Sequence, residues 1–483
     1  MAKKSKTKTS ELTYIMNPQC GWCKKADPVV EELRAAGHDI TTLDVTDETS
    51  AKKSQELQSK FNIRCGTPLF LDAKTGNNVC GMRGKDILEK WANGEEIPAP
   101  PPRPKPQNAP QQPQQQPQQP PAEQWPKTQF IKLDYVWVDG KKNKQLRSKT
   151  KFVTLTLEQP PTPDYLLGVL PESGFDGSST NQANTEDSDC ILRPVRVYPN
   201  MQDRGRDPSF IVLCEVFDSS GKPHKSNTRA ALRRTLERVG GADDLWFGIE
   251  QEYTIVEANN DKPIGWPDEE PKPQGDYYCG LGSTNVKGRR LAEQHAFLCN
   301  NSGVLLEGFH PEVMLSQWEY QTRPKIALRA ADDLWFTRYL LQKTAEIMDM
   351  SISFDPKPVE GDWNGSGAHI NFSTKVMREK SSMDYLNLMC ATLKDTHEEA
   401  ISVYGPGNDR RLSGKHETSA IDIFSWGESD RTASIRIPLS TVNNNGIGHI
   451  EDRRPAANVD PYEAFNYLTS QIVSISQEIL VAT

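Results

Sequence analysis

The chain has 483 residues, 36% of them hydrophobic and 25% charged, with a formal net charge of −8. This length exceeds one ordinary hydrophobic core, so we expect two or three folded units. No apolar run approaches the roughly 20 residues that span a bilayer, and the acidic balance disfavours binding to phosphate backbones, so we expect no membrane and no nucleic-acid partner.

The first segment, residues 1–10, is basic and polar, which predicts a disordered tail without the apolar stretch of a secretory signal. Nine cysteines are scattered along the chain rather than packed into the dense framework of a small secreted domain. Both features favour a cytoplasmic location, where thiols stay reduced. Only Cys20 and Cys23 are close in sequence, so any redox chemistry is expected to begin there.

Residues 11–96 alternate between strand and helix patterns. The sequence predicts a strand over Thr13–Met16, a helix from Lys24 that ends at Gly37, and further elements over ITTLDVT, AKKSQELQSKF, TPLFL and KDILEKWA. Such alternation predicts a small α/β domain.

Residues 97–127 form a stretch rich in proline and glutamine. Twelve prolines lie between Pro98 and Pro126, with almost no aliphatic side chains to bury. In a polyproline II conformation, at about 3.1 Å per residue, this stretch could span roughly 90 Å. We therefore expect a linker between two independently folding parts.

The remainder of the chain, from residue 128, mixes strands of period two with longer helical patterns, such as those over 227–239 and 329–349. This mixture predicts an α+β fold. The absence of an internal repeat of roughly 20–50 residues disfavours a solenoid.

Residues 245–256, LWFGIEQEYTIV, predict a strand with one acidic face. Because successive side chains in a strand point to opposite faces, Glu250 and Glu252 share a side. The apolar side chains on the other side are Phe247, Ile249, Tyr253 and Ile255. Two adjacent carboxylates repel each other unless a cation lies between them, and hard divalent ions prefer such oxygen ligands.

Four further strands show the same alternation of polar and apolar faces. Their polar faces carry Gln317, Glu319 and Gln321, then His369, Asn371 and Ser373, then Ser434 and Arg436, and finally Glu451 and Arg453. Each strand alone fits an ordinary half-exposed sheet. Together with Glu312, seven residues before Glu319, they predict a cavity with metal ions at one end and anion-binding guanidiniums nearby. Such a combination is typical of phosphoryl transfer.

Long motifs along this part of the chain resemble those of the eukaryotic-type glutamine synthetases. They are FDGSST at 175–180, WFGIEQEYT at 246–254, EVM at 312–314, QWEYQ at 317–321, DPKPVEGDWNGSGAHINFST at 355–374, GNDRRLSGKHETSAI at 407–421, DRTASIRIP at 430–438 and EDRRPAANVDPY at 451–462. The resemblance extends from about Lys132 onward and follows the family's order. It implies a small N-terminal β-grasp domain over 128–225 and a large catalytic α/β domain over 226–483.

The resemblance also implies two metal-ligand sets. Glu252, Glu312 and Glu319 would hold one divalent ion, which helps to position glutamate. A second ion, which bridges the ATP phosphates, would be held by Glu250, His369 and Glu451. Mg²⁺ would be the usual occupant and Mn²⁺ a substitute, with two to three ions in each site.

Substrate contacts follow from the same resemblance. Glutamate would be held by Asn364, Gly365, Arg411 and Arg453, and the phosphates by Arg431 and Arg436. ATP would lie along Trp246, Glu319 to Pro324, Asn371 to Ser373, and His449. The implied reaction has two steps, in which the γ-carboxylate of glutamate attacks the γ-phosphate of ATP and ammonia then attacks the acyl phosphate.

Ammonium would be bound by Asp176, Asp189 and Glu417. Asp176 would deprotonate it, and Glu417 would cover the site and exclude water. In this family the ammonium aspartate comes from the neighbouring subunit, so the resemblance implies a homo-oligomer, usually a decamer of two stacked pentameric rings.

The chain departs from the family pattern at several positions. His449 stands where a tyrosine usually packs on adenine, which predicts weaker ATP affinity rather than lost activity. Further departures are Phe309-His310-Pro311, Ser173-Gly174 and Arg323. None of these replaces an implied metal ligand.

The segment Cys20-Gly21-Trp22-Cys23, with Thr67-Pro68 downstream, resembles the thioredoxin and glutaredoxin family. A cysteine at a helix N-terminus has a lowered pKa because the helix dipole favours the thiolate, and Pro68 would be cis by resemblance. Half of a zinc site and a docking module without turnover are the alternatives. One hypothesis is that this unit regulates the synthetase by redox state, through Cys190, Cys214, Cys279 or Cys299.

Two other functions remain open. One is a γ-glutamyl-amine ligase that accepts a larger amine, and the other is a catalytically silent ring that carries redox domains. The full set of acids, histidine and arginines disfavours the silent ring. The presence of Asp176 and Glu417 favours ammonia over bulkier amines.

Overall fold

The structure, a computed structural model, describes residues 11–97, 125–203, 205, 207–240, 244–267 and 276–482, and the side chains as far as residue 474. The predicted tail over 1–10 and nearly all of the predicted linker, residues 98–124, lie outside the described residues. The chain divides into two compact units, and each is presented by itself. The described helices are all too short or too polar to cross a membrane.

The first unit is a four-stranded sheet with three helices. Its elements are β1 (Leu12–Met16), α1 (Gly21–Ala35), β2 (Ile40–Asp44), α2 (Glu48–Lys60), β3 (Leu69–Asp72), β4 (Asn78–Cys80) and α3 (Lys85–Ala92). The strand order is β2-β1-β3-β4, with β1 and β2 parallel and the other pairs antiparallel. Every predicted element of this unit is present, and only the three-residue β4 was not predicted.

Helices cover both faces of this sheet. Tyr14 and Phe70 stack with ring centroids 5.0 Å apart, and Trp91 of α3 packs edge-on against Phe70. Val30 of α1 joins the same cluster. The opposite face packs the strand residues Ile15, Leu43, Leu69 and Leu71 against Leu57 of α2. The alternation of side chains along each strand therefore gives the sheet two buried faces.

Cys65 and Cys80 form a disulfide, whereas Cys20 and Cys23 are free thiols. The sequence reasoning placed the first redox pair at Cys20 and Cys23 and did not pair the other two. The signal was weak because a 15-residue separation becomes a short distance only when β3 and β4 pair.

The second unit begins with a mixed five-stranded sheet. Its elements are β5 (Lys127–Val138), β6 (Leu146–Leu157), α4 (Pro163–Val169), β7 (Ser173–Asp176), β8 (Asp189–Pro199) and β9 (Ser209–Phe217). The strand order is β6-β5-β9-β8-β7, in which only β5 and β9 are parallel. Leu166 of α4 is fully buried in the core of this sheet.

A larger sheet and its helices follow in the same unit. The elements are α5 (Thr228–Val239), β10 (Trp246–Glu257), α6 (Arg289–Asn301), β11 (Leu306–Pro311), β12 (Gln317–Thr322), β13 (Lys325–Ile326), α7 (Ala327–Ile347), β14 (Met350–Ser353), β15 (Ala368–Ser373), α8 (Lys375–Glu379), α9 (Met383–Asp395), α10 (His397–Val403), β16 (Trp426–Glu428), β17 (Ile435–Ile437), α11 (Leu439–Asn443), β18 (Ile450–Asp452) and α12 (Pro461–Ala482). The order is β11-β12-β10-β15-β18-β17-β16, and β13 and β14 also pair with β10.

The predicted two-faced character of β10 is confirmed. Its apolar side chains, Phe247, Ile249, Tyr253 and Ile255, are buried in the core that α7 covers. Consequently Glu250 and Glu252 point to the other side of the sheet, where the neighbouring strands place their own polar residues.

Buried ion pairs join the two sheets of this unit. The Arg229 guanidinium at the start of α5 donates to Asp332 of α7 at 2.8 Å and to Glu215 of β9 at 2.8 Å. All three side chains are buried, and hydrogen bonds compensate the charges. This network fixes the five-stranded sheet against the helix that supports the larger sheet.

Candidate active site

The polar face of the larger sheet lines a cavity of about 480 Å³. Strand register brings its residues together, because Glu250 lies opposite His369, Glu252 opposite Glu319, and Arg436 opposite Glu451. The predicted residues that line the cavity are Glu250, Glu252, Glu312, Glu319, Asn364, Gly365, His369, Arg411, Glu417, Arg431, Arg436 and Arg453. Glu451 is adjacent, beneath His369 and the arginines.

Glu250, His369 and Glu451 form one compact group, with ligand atoms within 4.8 Å of one another. His369 Nδ1 lies 3.6 Å from Glu250 Oε2 and 3.4 Å from Glu451 Oε1, and this buried nitrogen has no hydrogen-bond partner. Burial, followed by the charge of Arg453, lowers the pKa of His369 well below its usual value. A neutral imidazole with a free buried nitrogen between two carboxylates fits a divalent cation.

His310, Glu312 and Glu319 form a second compact group by the same distance. The predicted partner, Glu252, is not a member of this group. Its carboxylate accepts hydrogen bonds from the Gly367 amide at 2.7 Å and from Gln317 Nε2 at 3.2 Å. Its role as a ligand stays a prediction. In the sequence, His310 stands out only as part of the Phe309-His310-Pro311 departure from the family pattern.

The carboxylates in this region crowd one another. Burial and then the charge of Glu312 raise the pKa of Glu252 to about 8. Burial and the charges of Glu250, Glu252 and Glu312 raise the pKa of Glu319 well above its ordinary value. Carboxylates that lie this close together tend to become protonated unless a cation offsets their charges. The group of carboxylates and histidines in this cavity therefore fits divalent metal ions.

Guanidinium groups line the rest of the cavity. Arg453 Nη1 donates to Glu451 Oε1 at 2.7 Å, and Arg436 pairs with the other oxygen of the same carboxylate. Arg411 Nη2 lies 3.1 Å from His369 Nε2, and burial lowers the pKa of Arg411 to about 10. Arg431 is exposed at the cavity. Anionic substrate groups would therefore meet several fixed positive charges beside the acidic groups.

Gly365 shows why one predicted contact must be glycine. A Cβ at this position would lie 2.5 Å from the Pro356 carbonyl oxygen and 2.7 Å from Arg411 Cγ. Any larger residue would displace the Arg411 side chain, which is predicted to contact glutamate.

The predicted ammonium residues are not all in the cavity. Glu417 lines it, with an exposed side chain and a left-handed backbone. Asp176 and Asp189 instead lie opposite each other on β7 and β8, and neither lines the cavity of the same chain. Hydrogen bonds from the hydroxyls of Ser178 and Ser179 lower the pKa of Asp176, so this carboxylate is held ionised at the surface.

A second cavity of about 500 Å³ adjoins the first and shares Glu250 and Gln321 with it. The predicted ATP residues that line this cavity are Trp246, Pro324, Asn371, Ser373 and His449. Sequence reasoning missed Arg378, whose guanidinium lies 4.2 Å from the centroid of the Trp246 ring. Burial lowers the pKa of His449, so its imidazole is neutral and can stack.

The site combines two groups of possible metal ligands with several arginines, and the adjoining cavity is lined in part by aromatic rings. This combination is typical of a transferase or ligase that uses metal ions and a nucleotide. Residues 225–479 match the family model described as the glutamine synthetase catalytic domain. This chain therefore belongs to the glutamine synthetase family, and it is a glutamate–ammonia ligase that uses ATP and divalent metal.

Several curated proteins are similar to this chain over most of their length. A glutamine synthetase of Yarrowia lipolytica is 45% identical over 348 residues, which cover 72% of this chain and 92% of that protein. One from Streptomyces viridochromogenes is 47% identical over 336 residues, covering 69% and 94%. A chloroplastic glutamine synthetase of Chlamydomonas reinhardtii is 45% identical over 350 residues, covering 70% and 90%.

Proposed function

We propose that this chain forms glutamine through a γ-glutamyl phosphate intermediate at the larger sheet's cavity. The observation that carries the proposal is the unpartnered, buried Nδ1 of His369 between two carboxylates, beside a wall of arginines and next to the cavity of Trp246. Divalent metal ions, Mg²⁺ or Mn²⁺, would supply charge neutralisation of the ATP phosphates when they are bound.

The chain's own residues then divide the work of binding. Trp246 and His449 would hold the adenine ring by stacking, while Arg431 and Arg436 would contact the phosphates. Asn364, Gly365, Arg411 and Arg453 would hold glutamate with its γ-carboxylate facing the terminal phosphate. Because the shared residue Glu250 lies at the boundary of the two cavities, the transferring phosphoryl group would lie near it.

The second step would use Glu417 and a neighbouring subunit. Glu417 lines the cavity and can cover the acyl phosphate against water. Asp176 and Asp189 do not line the cavity of their own chain, which supports a site completed by the β7–β8 edge of another copy. We propose a decamer of two pentameric rings for this assembly.

Phosphate release with three amine conditions tests the reaction. We expect phosphate release that requires ATP, glutamate and Mg²⁺, and that is at least about tenfold faster with ammonium than with methylamine, since a hydrogen-bonding pocket for a small cation rejects added bulk. Faster release with methylamine would instead identify a γ-glutamyl-amine ligase. No release under any condition would identify a silent scaffold.

For the first unit we propose a thioredoxin-like function. Cys20 immediately precedes α1, its Sγ contacts the Thr67 carbonyl oxygen at 3.5 Å, and Thr67–Pro68 is a cis peptide bond. Among the described residues, the groups of three or more possible metal ligands are both in the second unit, so no third ligand stands beside Cys20 and Cys23 there.

Cys20 is expected to be the reactive thiol of the pair. A hydrogen bond from the Cys23 amide lowers the pKa of Cys20, whereas burial raises the pKa of Cys23. Because the thiolate is the reacting species, iodoacetamide should modify Cys20 with a pH midpoint below that of free cysteine. Mass spectrometry of the reduced protein measures the rate of Cys20 modification at each pH from about 5 to 9, and the midpoint of that curve gives the pKa of Cys20.

Cys20→Ser and Cys23→Ser are the matched variants for this titration. We expect Cys20→Ser to abolish the low-pH modification and Cys23→Ser to retain rapid modification at Cys20. If iodoacetamide modified Cys20 and Cys23 at equal rates in the chain without substitutions, Cys20 would not be the reactive thiol of the pair.

Regulation of the synthetase by this unit is a further part of the proposal. Of the four cysteines considered as targets, Cys190, Cys214 and Cys299 are buried, and only Cys279 is exposed. Cys279 follows Tyr278, which lines the cavity. Unchanged synthetase kinetics in Cys20→Ser under both oxidising and reducing conditions would exclude this regulation. The cytoplasmic location stays a prediction.

A further inference from the structure

We propose that His310 is a direct nitrogen ligand of the metal ion held by Glu312 and Glu319, and that it shifts this site's preference from Mg²⁺ toward Mn²⁺. The inference rests on the proposed function, because it assumes that the cavity binds two or more divalent ions. It adds a ligand that the three-glutamate set does not contain.

Strand pairing places the His310 imidazole in the ligand group. His310 of β11 lies directly opposite Glu319 of β12 in the antiparallel register, and the side chains of such a pair share one face. His310 Nε2 is 3.0 Å from Glu312 Oε1. Its nitrogen and one oxygen from each of the two glutamates lie within 4.8 Å of one another, a spacing that one ion can bridge.

The surroundings hold this imidazole in place. Its ring meets Tyr278 edge-on, with centroids 5.4 Å apart. The carbonyl oxygen of the next residue, Pro311, accepts a hydrogen bond from the Cys279 amide at 3.0 Å, which ties β11 to the Tyr278 segment. About a fifth of the His310 side chain remains exposed, on the wall of the cavity. The ring is therefore oriented before a metal ion binds.

Glu252 lies outside the compact group that contains His310. The compact group therefore combines an imidazole with two carboxylates, while Oε2 of Glu252 accepts hydrogen bonds from the Gly367 amide and from Gln317. Mg²⁺ is a hard ion that strongly prefers oxygen ligands, whereas Mn²⁺, as a transition-metal ion, gains more affinity from an imidazole nitrogen than Mg²⁺ does. A site with one nitrogen and two carboxylates is less negative and softer than a site of three carboxylates.

The test detects nitrogen bound to Mn²⁺ by electron spin echo envelope modulation, on the full chain with Mn²⁺ alone. His369 would supply its own nitrogen at the other group, so the measurement uses His369→Asn as the background. We expect a nitrogen modulation in His369→Asn and its loss in the double variant with His310→Asn. His416→Asn in the same background is the control, because His416 lines the cavity but belongs to neither group.

Affinity supplies a second, independent readout in the otherwise unmodified chain. Calorimetric titration of His310→Asn should show Mn²⁺ binding weakened by about tenfold or more at one site, with Mg²⁺ binding changed by less than about threefold. His310→Gln should behave in the same way, and thermal unfolding without metal checks that each variant is folded.

The outcomes separate this inference from the proposed function. If the unmodified chain bound no Mn²⁺, the proposed metal site itself would be wrong. If it bound Mn²⁺ but the His369→Asn background showed no nitrogen modulation, the site would stand and His310 would only orient Glu312 by a hydrogen bond. Equal weakening of Mn²⁺ and Mg²⁺ in His310→Asn would also overturn the inference.

Discussion

Replacing His369 by asparagine is expected to lower the rate of glutamine formation by at least about 1000-fold, because the loss of a metal clamp on the transferring phosphoryl group removes several kcal/mol of transition-state stabilisation. His369 is the central member of its group, with Nδ1 facing Glu250 and Glu451. Without it, two carboxylates and no neutral donor remain. The measurement is ATP- and ammonium-dependent glutamine formation together with Mn²⁺ binding.

His397 offers a matched control for this substitution. Both histidines are buried, but the two ring nitrogens of His397 are partnered, one with the Ile421 carbonyl oxygen at 2.8 Å and one with Arg454 at 3.1 Å. His397→Asn should therefore lower the free energy of unfolding by about 1–3 kcal/mol, and the folded fraction should still bind Mn²⁺. His369→Asn should still bind Mn²⁺ at the His310 group, so an unchanged number of bound Mn²⁺ ions together with unchanged activity would contradict the role of His369 as a ligand.

The second large effect that we expect is that two inactive variants regain activity when they are co-expressed. If the β7–β8 edge of one copy completes the cavity of the next, Asp176→Ala and His369→Asn damage opposite sides of each shared site. Each variant alone should be nearly inactive, since loss of a general base costs about 100-fold or more. Co-expressed in equal amounts, they should form mixed rings in which about one quarter of the sites are intact.

The control for complementation pairs two variants of the same cavity. His369→Asn co-expressed with Glu451→Gln should remain inactive, because both residues belong to one group of one chain. Light scattering of each mixture would establish that subunits assemble. If the Asp176 pair gave no more activity than this control while mixed rings formed, Asp176 would not act across a subunit boundary.

The sequence predicted which residues share one face of a strand, but it did not predict which strands lie next to one another. Period-two alternation placed Glu250 and Glu252 on one side of β10, since that pattern depends only on local backbone geometry. The pairing of Glu252 with Glu319, and of Glu250 with His369, depends on register between strands far apart in the chain. The sequence of a single strand does not specify which residues of another strand it pairs with, because several strands of this chain have a polar face and could pair in more than one register.

His310 and Arg378 illustrate what the motif comparison overlooked. His310 was noted only as a departure from the family pattern, yet the β11–β12 register places it with Glu312 and Glu319. Arg378 lies on α8, outside every quoted motif, and reaches Trp246 across the fold. Neither contact has a local sequence signature, because each depends on elements brought together by tertiary packing.

The sequence by itself determined the types of all elements of the first unit except β4, the two faces of the strands that line the cavity, and the family to which the larger part belongs. These properties follow from local periodicity, turn residues and long motifs that a chain carries whether or not it is folded. Only the tertiary structure decided which acids lie close enough to share one ion, that Cys65 joins Cys80, and that Asp176 does not line the cavity of its own chain. Those outcomes depend on distances of a few ångströms between distant segments, which are fixed by strand register and core packing.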